Sequence, residues 1–491
     1  MSSRNKPRTT RRPYDPHNRN RDPMRTFCHA TTPVYSRRDL LTASANGFGL
    51  LALAGLANAQ PTASPLAPRP PHRPAKAKRV IFLFMHGGPS QVDTFDPKPL
   101  LARHNGQPYP GQKPRVQFAA TGNLLRSPWE FRPGGRSGTP VSDLFPHVRR
   151  MADELCVIRS IHADNSAHGG ALLQLHTGSD TFVRPSVGSW VTYGLGSENQ
   201  NLPGFVTICP TLGHGGVQNW SSAFLPAAFQ GTAIGHSGIP ARESSIRDIR
   251  STAPSVELQR MQLDLLREMN HGHLAAAGAD PALEGRIESF ELAFRMQAAA
   301  PGVADLSKES RRVLDQYGVN QPETDNFGRQ CLLARRYCEA GVRFVQVTHS
   351  YKWDQHGDLT RDHAKNAREV DQPIAALLTD LKQRGLLEDT LVWWGGEFGR
   401  TPTAQGGDGR DHNPHAFSMW LAGGGVKGGS VVGATDDFGY YAVENKVHMH
   451  DLHATLLAAL GMDHEKLTYR HAGRDFRLTD VKGRVVREVF A

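Results

Sequence analysis

The chain has 491 residues, five cysteines, and 57 Lys and Arg against 47 Asp and Glu. Residues 1–59 carry ten of the basic and three of the acidic residues, so 47 against 44 remain, a net charge of +3. The basic balance is therefore a property of the N-terminal segment and argues for no nucleic-acid partner. About 430 residues beyond it suit one large α/β domain or two fused ones.

In chain order, the polar, Arg-rich stretch from Met1 to about Pro23 is expected to be an extension, with Met24 as an alternative start. Ser36-Arg37-Arg38-Asp39-Leu40-Leu41 precedes the apolar run 47–56 and the small-residue site Ala57-Asn58-Ala59. That order predicts a signal peptide, and the paired arginines favour the twin-arginine export machinery. The apolar run is shorter than the roughly 20 residues a membrane span needs, so a periplasmic or secreted protein without a stable span is expected. Residues 60–77, rich in Pro and Ala, read as a linker, leaving 78–491 as the domain.

The domain opens on an apolar run, Arg79–Met85, that breaks at His86-Gly87-Gly88-Pro89. An uninterrupted apolar strand predicts burial on both faces. Residues 102–140 look irregular. A helix is expected over 146–153, a strand over 155–160, a helix from near Ser166 to His176, and a short strand within 202–208. Residues 210–245 read as a Gly-rich loop and 254–300 as helical. Then follow a helix over 327–340, a strand over 342–348, a helix over about 370–384, strands over 391–394 and 419–422, and a helix over 453–460 capped by Asp451. Alternating strands and helices predict a mostly parallel central sheet with helices on both faces. Cys331 and Cys338 are two helical turns apart, too far for a disulfide, so buried free thiols are expected.

Four segments place metal-ligand or acid–base side chains just after a predicted strand: His86 to Asp93; His162 to His168; His349 to Asp358; and Glu397 to Arg400 with Gly409 to Pro414. In a parallel sheet the carboxyl ends of the strands share one edge, so the four should converge on one crevice. Mixed histidine and carboxylate donors suit zinc, manganese or iron. One or two such ions can polarise a phosphoryl or sulfuryl oxygen. The expected ligands are His86, Asp93, Asp354, His356, Glu397 and His412. Arg400 and His168 are expected to bind the oxyanion, Arg400 by bidentate bonding, with Ser166 or a metal-held water as nucleophile. Each has a plainer reading: Asp354 as a turn or cap, Ser166 as an N-cap, Arg400 as the partner of Glu397, His412 as a surface residue. His448, His450 and His453 are left out of the metal set.

The motifs MHGGPSQVDTFDPKP at 85–99, PSVGSWVTYGLGSENQNLPGFV at 185–206, WDQHGD at 353–358, GEFGRTP at 396–402 and GRDHNP at 409–414 carry a resemblance. So do DLHATLLAALGMDHEKL and the GRDFRLTDVKG that follows it. Together they resemble the secreted domain-of-unknown-function 1501 family, which is similar to the alkaline phosphatase and sulfatase superfamily. The resemblance implies an alkaline-phosphatase-like α/β fold and a two-metal site acting on a small-molecule or glycan ester. His86 stands where the superfamily has an aspartate, and Ser160–His168 matches its nucleophile segment. Asp354, His356 and Asp358 are the candidates for its Asp-x-x-x-His, and Glu397-Phe398-Gly399 stands for Asp-His-Gly, lacking one histidine. Cys209 is followed by Pro210-Thr211-Leu212-Gly213, not by the C/S-x-P-x-R pattern, so a formylglycine sulfatase is not expected. The alternative to an exported metal-dependent ester hydrolase is a non-catalytic envelope or glycan-binding protein on the same fold.

Overall fold

The computed structural model describes residues 64–114, 120–277 and 281–491. The expected extension and signal peptide, and Cys28, lie outside the described residues. The domain is organised by β1 (Arg79–Met85), which is buried at every residue. Alternate side chains of a strand point to opposite faces, so this burial means that both faces of the sheet are covered. On one face Phe82 and Phe84 meet His176, with ring centroids 5.9 and 4.8 Å away.

The other strands of the nine-stranded sheet are β2 (Leu155–His162), β3 (Phe205–Ile208), β4 (Thr232–Ile234), β5 (Phe344–His349) and β6 (Thr390–Gly395). A hairpin of β7 (Gly399–Gln405) and β8 (Gly409–Asn413) stands outside it. β9 (Phe417–Ala422), β10 (Ser430–Val432) and β11 (Val447–His448) complete the sheet. The order is β10-β2-β9-β6-β1-β5-β3-β4, with β11 also pairing β2. β1 is parallel to β5 and β6, with Met85 opposite His349 and Phe84 opposite Gly395. β9 is antiparallel to both β6 and β2, so β2 runs the same way as β1. The fold is the expected α/β type with a mostly parallel central sheet, and the carboxyl ends of β1, β2, β5 and β6 share one edge.

Helix α1 (His168–Thr177) follows β2, and α2 (Val187–Leu195) precedes β3. The helical stretch expected over 254–300 is two helices, α3 (Val256–Ala277) and α4 (Pro281–Ala304). Helix α5 (Asp325–Glu339) leads into β5. Helix α6 (Leu359–Gln383) starts eleven residues before the expected 370. Its first turns bury His363 and Asn366 between Leu359 and Ala367, so the apolar periodicity is broken there. Asp408, at the tip of the β7–β8 hairpin, accepts from the Asp358 amide at 2.8 Å and so closes the start of α6. Helix α7 (Met449–Ala459) is capped by His448, not Asp451. Asp451 accepts reciprocally from the His448 amide at 3.0 Å, completing a capping box. Residues 102–140 include a small hairpin, 131–134 against 139–142.

From residue 64 on, the stretch expected to be a linker is an arm bound to the body. Leu66 is fully buried, and the amides of Arg69 and Lys76 donate to the carbonyls of Leu195 and Ala459 at 2.9 and 2.8 Å. Cys156, Cys209, Cys331 and Cys338 are buried free thiols. Among the described residues no helix is long and apolar enough to cross a membrane.

Candidate metal centre

Each strand end delivers one part of the cluster. β1 ends at His86, and the glycines after it let the chain turn tightly. Gly87, at φ +116°, passes so close to Trp353 and Asp354 that a Cβ would lie 2.6 Å from the Asp354 amide nitrogen. β6 ends before Glu397, whose oxygens accept from the Gly87 amide at 3.0 and 3.2 Å. β2 leads to His168, the first residue of α1. β5 leads to Asp354 and His356, and the β7–β8 hairpin brings Arg400 and His412.

Two linked groups result. In the inner one, His86, His168 and Glu397 are all buried, with one donor atom from each within 4.8 Å of the others. His168 Nδ1 is 2.7 Å from Glu397 Oε1. Neither ring nitrogen of His86 has a hydrogen-bond partner among the described residues. In the outer group, Asp354 Oδ1 is approached by Arg400 Nη2 at 2.7 Å, His356 Nε2 at 2.9 Å, His412 Nε2 at 3.1 Å and His168 Nε2 at 3.3 Å. The last is an ion-pair distance without hydrogen-bond geometry. The Nε2 atoms of His356 and His412 are 3.1 Å apart. Only one of two facing nitrogens can supply the proton between them. Asp411 joins His356 and His412 in a third group.

Charges follow the geometry. Burial, against the pull of Glu397, lowers His86 to about 4, so it is a neutral donor at pH 7. Burial also opposes charge on His168, but Asp354 and Glu397 outweigh it and raise His168 to about 9. Burial pushes Asp354 up, yet the close approach of the His168, His356 and His412 rings and the charge of Arg400 hold it far below the usual carboxylate range. Glu397 is lowered for the same reason, with His168 and His86 overcoming its burial.

The structure thus brings together seven of the nine expected residues: His86, His168, Asp354, His356, Glu397, Arg400 and His412. Arg400 is fully buried, and its guanidinium donates to the carbonyls of Gly88 at 3.0 Å, Arg410 at 3.1 Å and Trp353 at 3.1 Å, to Gly87, and to Asp354. That engagement holds the two turns around the cluster together and commits the fork expected for an oxyanion. Asp93 stands apart. Its carboxylate is gripped by Arg410 at 2.7 and 3.2 Å and by the Ser90 hydroxyl at 2.5 Å. It belongs to none of the three donor groups, because the short helix Gln91–Thr94 turns it away from His86. Ser166 meets the cluster through its backbone: its carbonyl lies 2.7 Å from His412 Nδ1. The N-cap of α1 is Ala167, not Ser166. Asp358 pairs with Arg361 at 3.0 Å at the exposed start of α6. His450 and His453 bond the carbonyls of Thr479 and Leu175 at 2.8 and 2.9 Å, outside the cluster.

Sequence reasoning passed over Asp411, Tyr351 and His214. Tyr351 donates to Asp354 Oδ2 at 2.7 Å, and His214 stacks on His168. A cavity of about 550 Å³ beside Trp129, His147 and Arg368 includes none of the cluster residues.

An open, mostly parallel sheet with a buried histidine–carboxylate cluster at its carboxyl edge defines an α/β protein with a candidate metal centre. The chain belongs to the family described as "Protein of unknown function (DUF1501)", whose profile matches residues 77–490. Similar solved structures include the lipoteichoic acid synthase LtaP from Listeria monocytogenes, 9% identical over 82% of this chain and 74% of that one, TM-score 0.36. The PsFucS1 sulfatase from Pseudoalteromonas sp. is 13% identical over 87% and 72%, TM-score 0.35. A TAB5 alkaline phosphatase mutant with Mg bound is 9% identical over 79% and 99%, TM-score 0.35. At such identities and scores no residue role passes from them to this chain. No curated protein matches it.

Proposed function

We propose that the protein is an exported, metal-dependent hydrolase of phosphate or sulfate esters. The observation that carries this reading is the unsatisfied inner group: a fully buried His86 with both ring nitrogens unpartnered among the described residues, facing His168 and Glu397. An unmade hydrogen bond on a buried polar group costs about 1–3 kcal/mol, and a core position would favour an apolar ring. The donors fit a borderline divalent ion such as zinc, manganese or iron. His86, His168 and Glu397 would hold one ion, and Asp354, His356 and His412 a second.

Such ions supply Lewis acidity toward a phosphoryl or sulfuryl oxygen. The chain's own residues do the rest. Arg400 fixes the turns after β1 and β5 to each other. Glu397 orients His168 through its Nδ1. Phe398 stacks on the His412 ring with centroids 4.3 Å apart and so holds that ring in place. Ser166, one residue before the N-cap of α1, is the candidate nucleophile, with a water as the alternative. The choice of ester rests on the motif likeness to the alkaline phosphatase and sulfatase superfamily, and export rests on the paired arginines before the apolar run.

A second reading has its own observation. Arg400 is committed to backbone carbonyls and Asp354, and Asp93 to Arg410, as a non-catalytic binder of envelope glycans would allow. Elemental analysis of protein purified without chelator separates the two. The hydrolase reading expects about one or two equivalents of metal, with turnover of aryl phosphate or sulfate. Less than about a tenth of an equivalent after reloading would remove this reading, since the cluster would then have no guest.

A further inference from the structure

Two rings at the mouth of the cluster have no part in holding metal. His214, exposed in the loop after β3, stacks on His168 with centroids 5.1 Å apart and planes at 24°. It lies 5.8 Å from His86. Tyr351 is 42% exposed, with its ring 4.7 Å from His86, 5.2 Å from His168 and 5.0 Å from His214. Both are fixed in place. The Tyr351 hydroxyl is anchored on Asp354. His214 sits at φ +45°, in the left-handed region, followed by Gly215 at +100° and Gly216 at +49°. The side-chain Nδ2 of buried Asn219 donates to the His214 carbonyl at 3.3 Å and pins that conformation. Strained non-glycine backbone gathers at functional sites, where the surrounding structure holds it. Here it holds an exposed ring over a buried cluster, where core packing gains nothing.

We infer that His214 and Tyr351 select the organic half of the substrate: an ester whose leaving group presents a ring face to these two rings while its tetrahedral anion reaches the cluster. The inference rests on the hydrolase reading. Ring faces pair favourably with aromatic rings beyond simple burial of area, whereas a short alkyl group would leave both rings in water.

The test is calorimetric titration of the zinc-loaded protein with inorganic phosphate and with methyl-, cyclohexyl- and phenylphosphonate, none of which can turn over at the ester position. Phenylphosphonate should bind about tenfold more tightly than methylphosphonate, the scale of one aromatic pair. Tyr351→Phe keeps the ring and should keep that ratio. Tyr351→Leu and His214→Ala should bring it toward one. Cyclohexylphosphonate matching phenylphosphonate would assign a saturated ring, such as a sugar, and support the inference. Equal binding of the phenyl and methyl compounds in the unaltered protein would overturn the inference while phosphate binding kept the hydrolase reading. Failure of every anion to bind would overturn both. Loss of the ratio in Tyr351→Phe would reduce the tyrosine to a positioning group for Asp354 and overturn its part. If Tyr351→Leu loses its zinc, His214→Ala decides alone.

Discussion

Asp93 and Asp354 are carboxylates near the same sheet edge, each facing a buried arginine, and they differ in closure. Around Asp93 the account is complete. Arg410 and Ser90 satisfy the carboxylate, and Arg410 Nη1 and Nη2 also donate to the carbonyls of Thr401 and Leu125 at 3.1 and 3.0 Å. Around Asp354 it is not. One oxygen is crowded by four nitrogens, two imidazoles point nitrogen at nitrogen, and His86 behind them bonds nothing among the described residues. A closed ionic group explains its own burial, whereas an open one calls for a guest. The contrast separates a self-satisfied cluster from one with unmet donors among the described residues, where residue type alone cannot.

The sharpest break of that contrast is Asp354→Asn. It should remove the ion assigned to Asp354, His356 and His412, leave the inner one, and cut ester turnover by at least about a hundredfold, since even partners of ligands cost 10–100-fold. Elemental analysis and initial rates check both. Next is Arg410→Leu, which strands a buried carboxylate and should lower unfolding free energy by about 3–5 kcal/mol in urea. Adding Asp93→Leu should recover most of that. Acid provides a third way. Burial pushes Asp93 up, but the charge and hydrogen bonds of Arg410 win and lower it. Its contribution to stability is therefore full above the unfolded carboxyl value of about 4 and is lost as pH falls through the lower folded value. The unaltered protein should lose stability more steeply below about pH 4 than the Asp93→Leu, Arg410→Leu pair. The smallest effect tests openness itself. His86→Phe should leave metal-free protein equally stable or more stable by about 1 kcal/mol, because it removes unsatisfied nitrogens. In excess zinc the same variant should melt below the unaltered protein. Destabilisation in both conditions would show that His86 is an ordinary core residue.

How much of this was legible follows from the same physics. Strand ends were readable where an apolar run stops at polar residues and glycine, as at Met85-His86-Gly87 and Trp394-Gly395-Gly396-Glu397. That placed most of the cluster, because a parallel sheet collects such ends on one edge. The start of α6 was not legible, since its buried face carries His363 and Asn366 and depends on a hairpin tip fifty residues away. Asp93 was misjudged because its distance along the chain from His86 says nothing of a helix that turns it toward Arg410. His214 was missed inside a Gly-rich loop, although Gly213-His214-Gly215-Gly216 repeats the His-Gly-Gly that made His86 conspicuous. Tyr351 gave no such signal, because its role depends on tertiary contact with Asp354.

The donors come from positions 86, 168, 354, 356, 397 and 412, carried by separate strand ends and a hairpin. No short stretch of chain holds more than Asp354 with His356, so an unfolded chain has no pocket to offer. On the metal reading, an ion gathered here would be acquired only after the sheet has paired, and would then stabilise the folded state alone, by about 2.7 kcal/mol at a hundred times its dissociation constant. Because affinity among these ions follows the metal more than the protein, the compartment in which the chain folds, rather than the one in which it works, would decide which metal it carries.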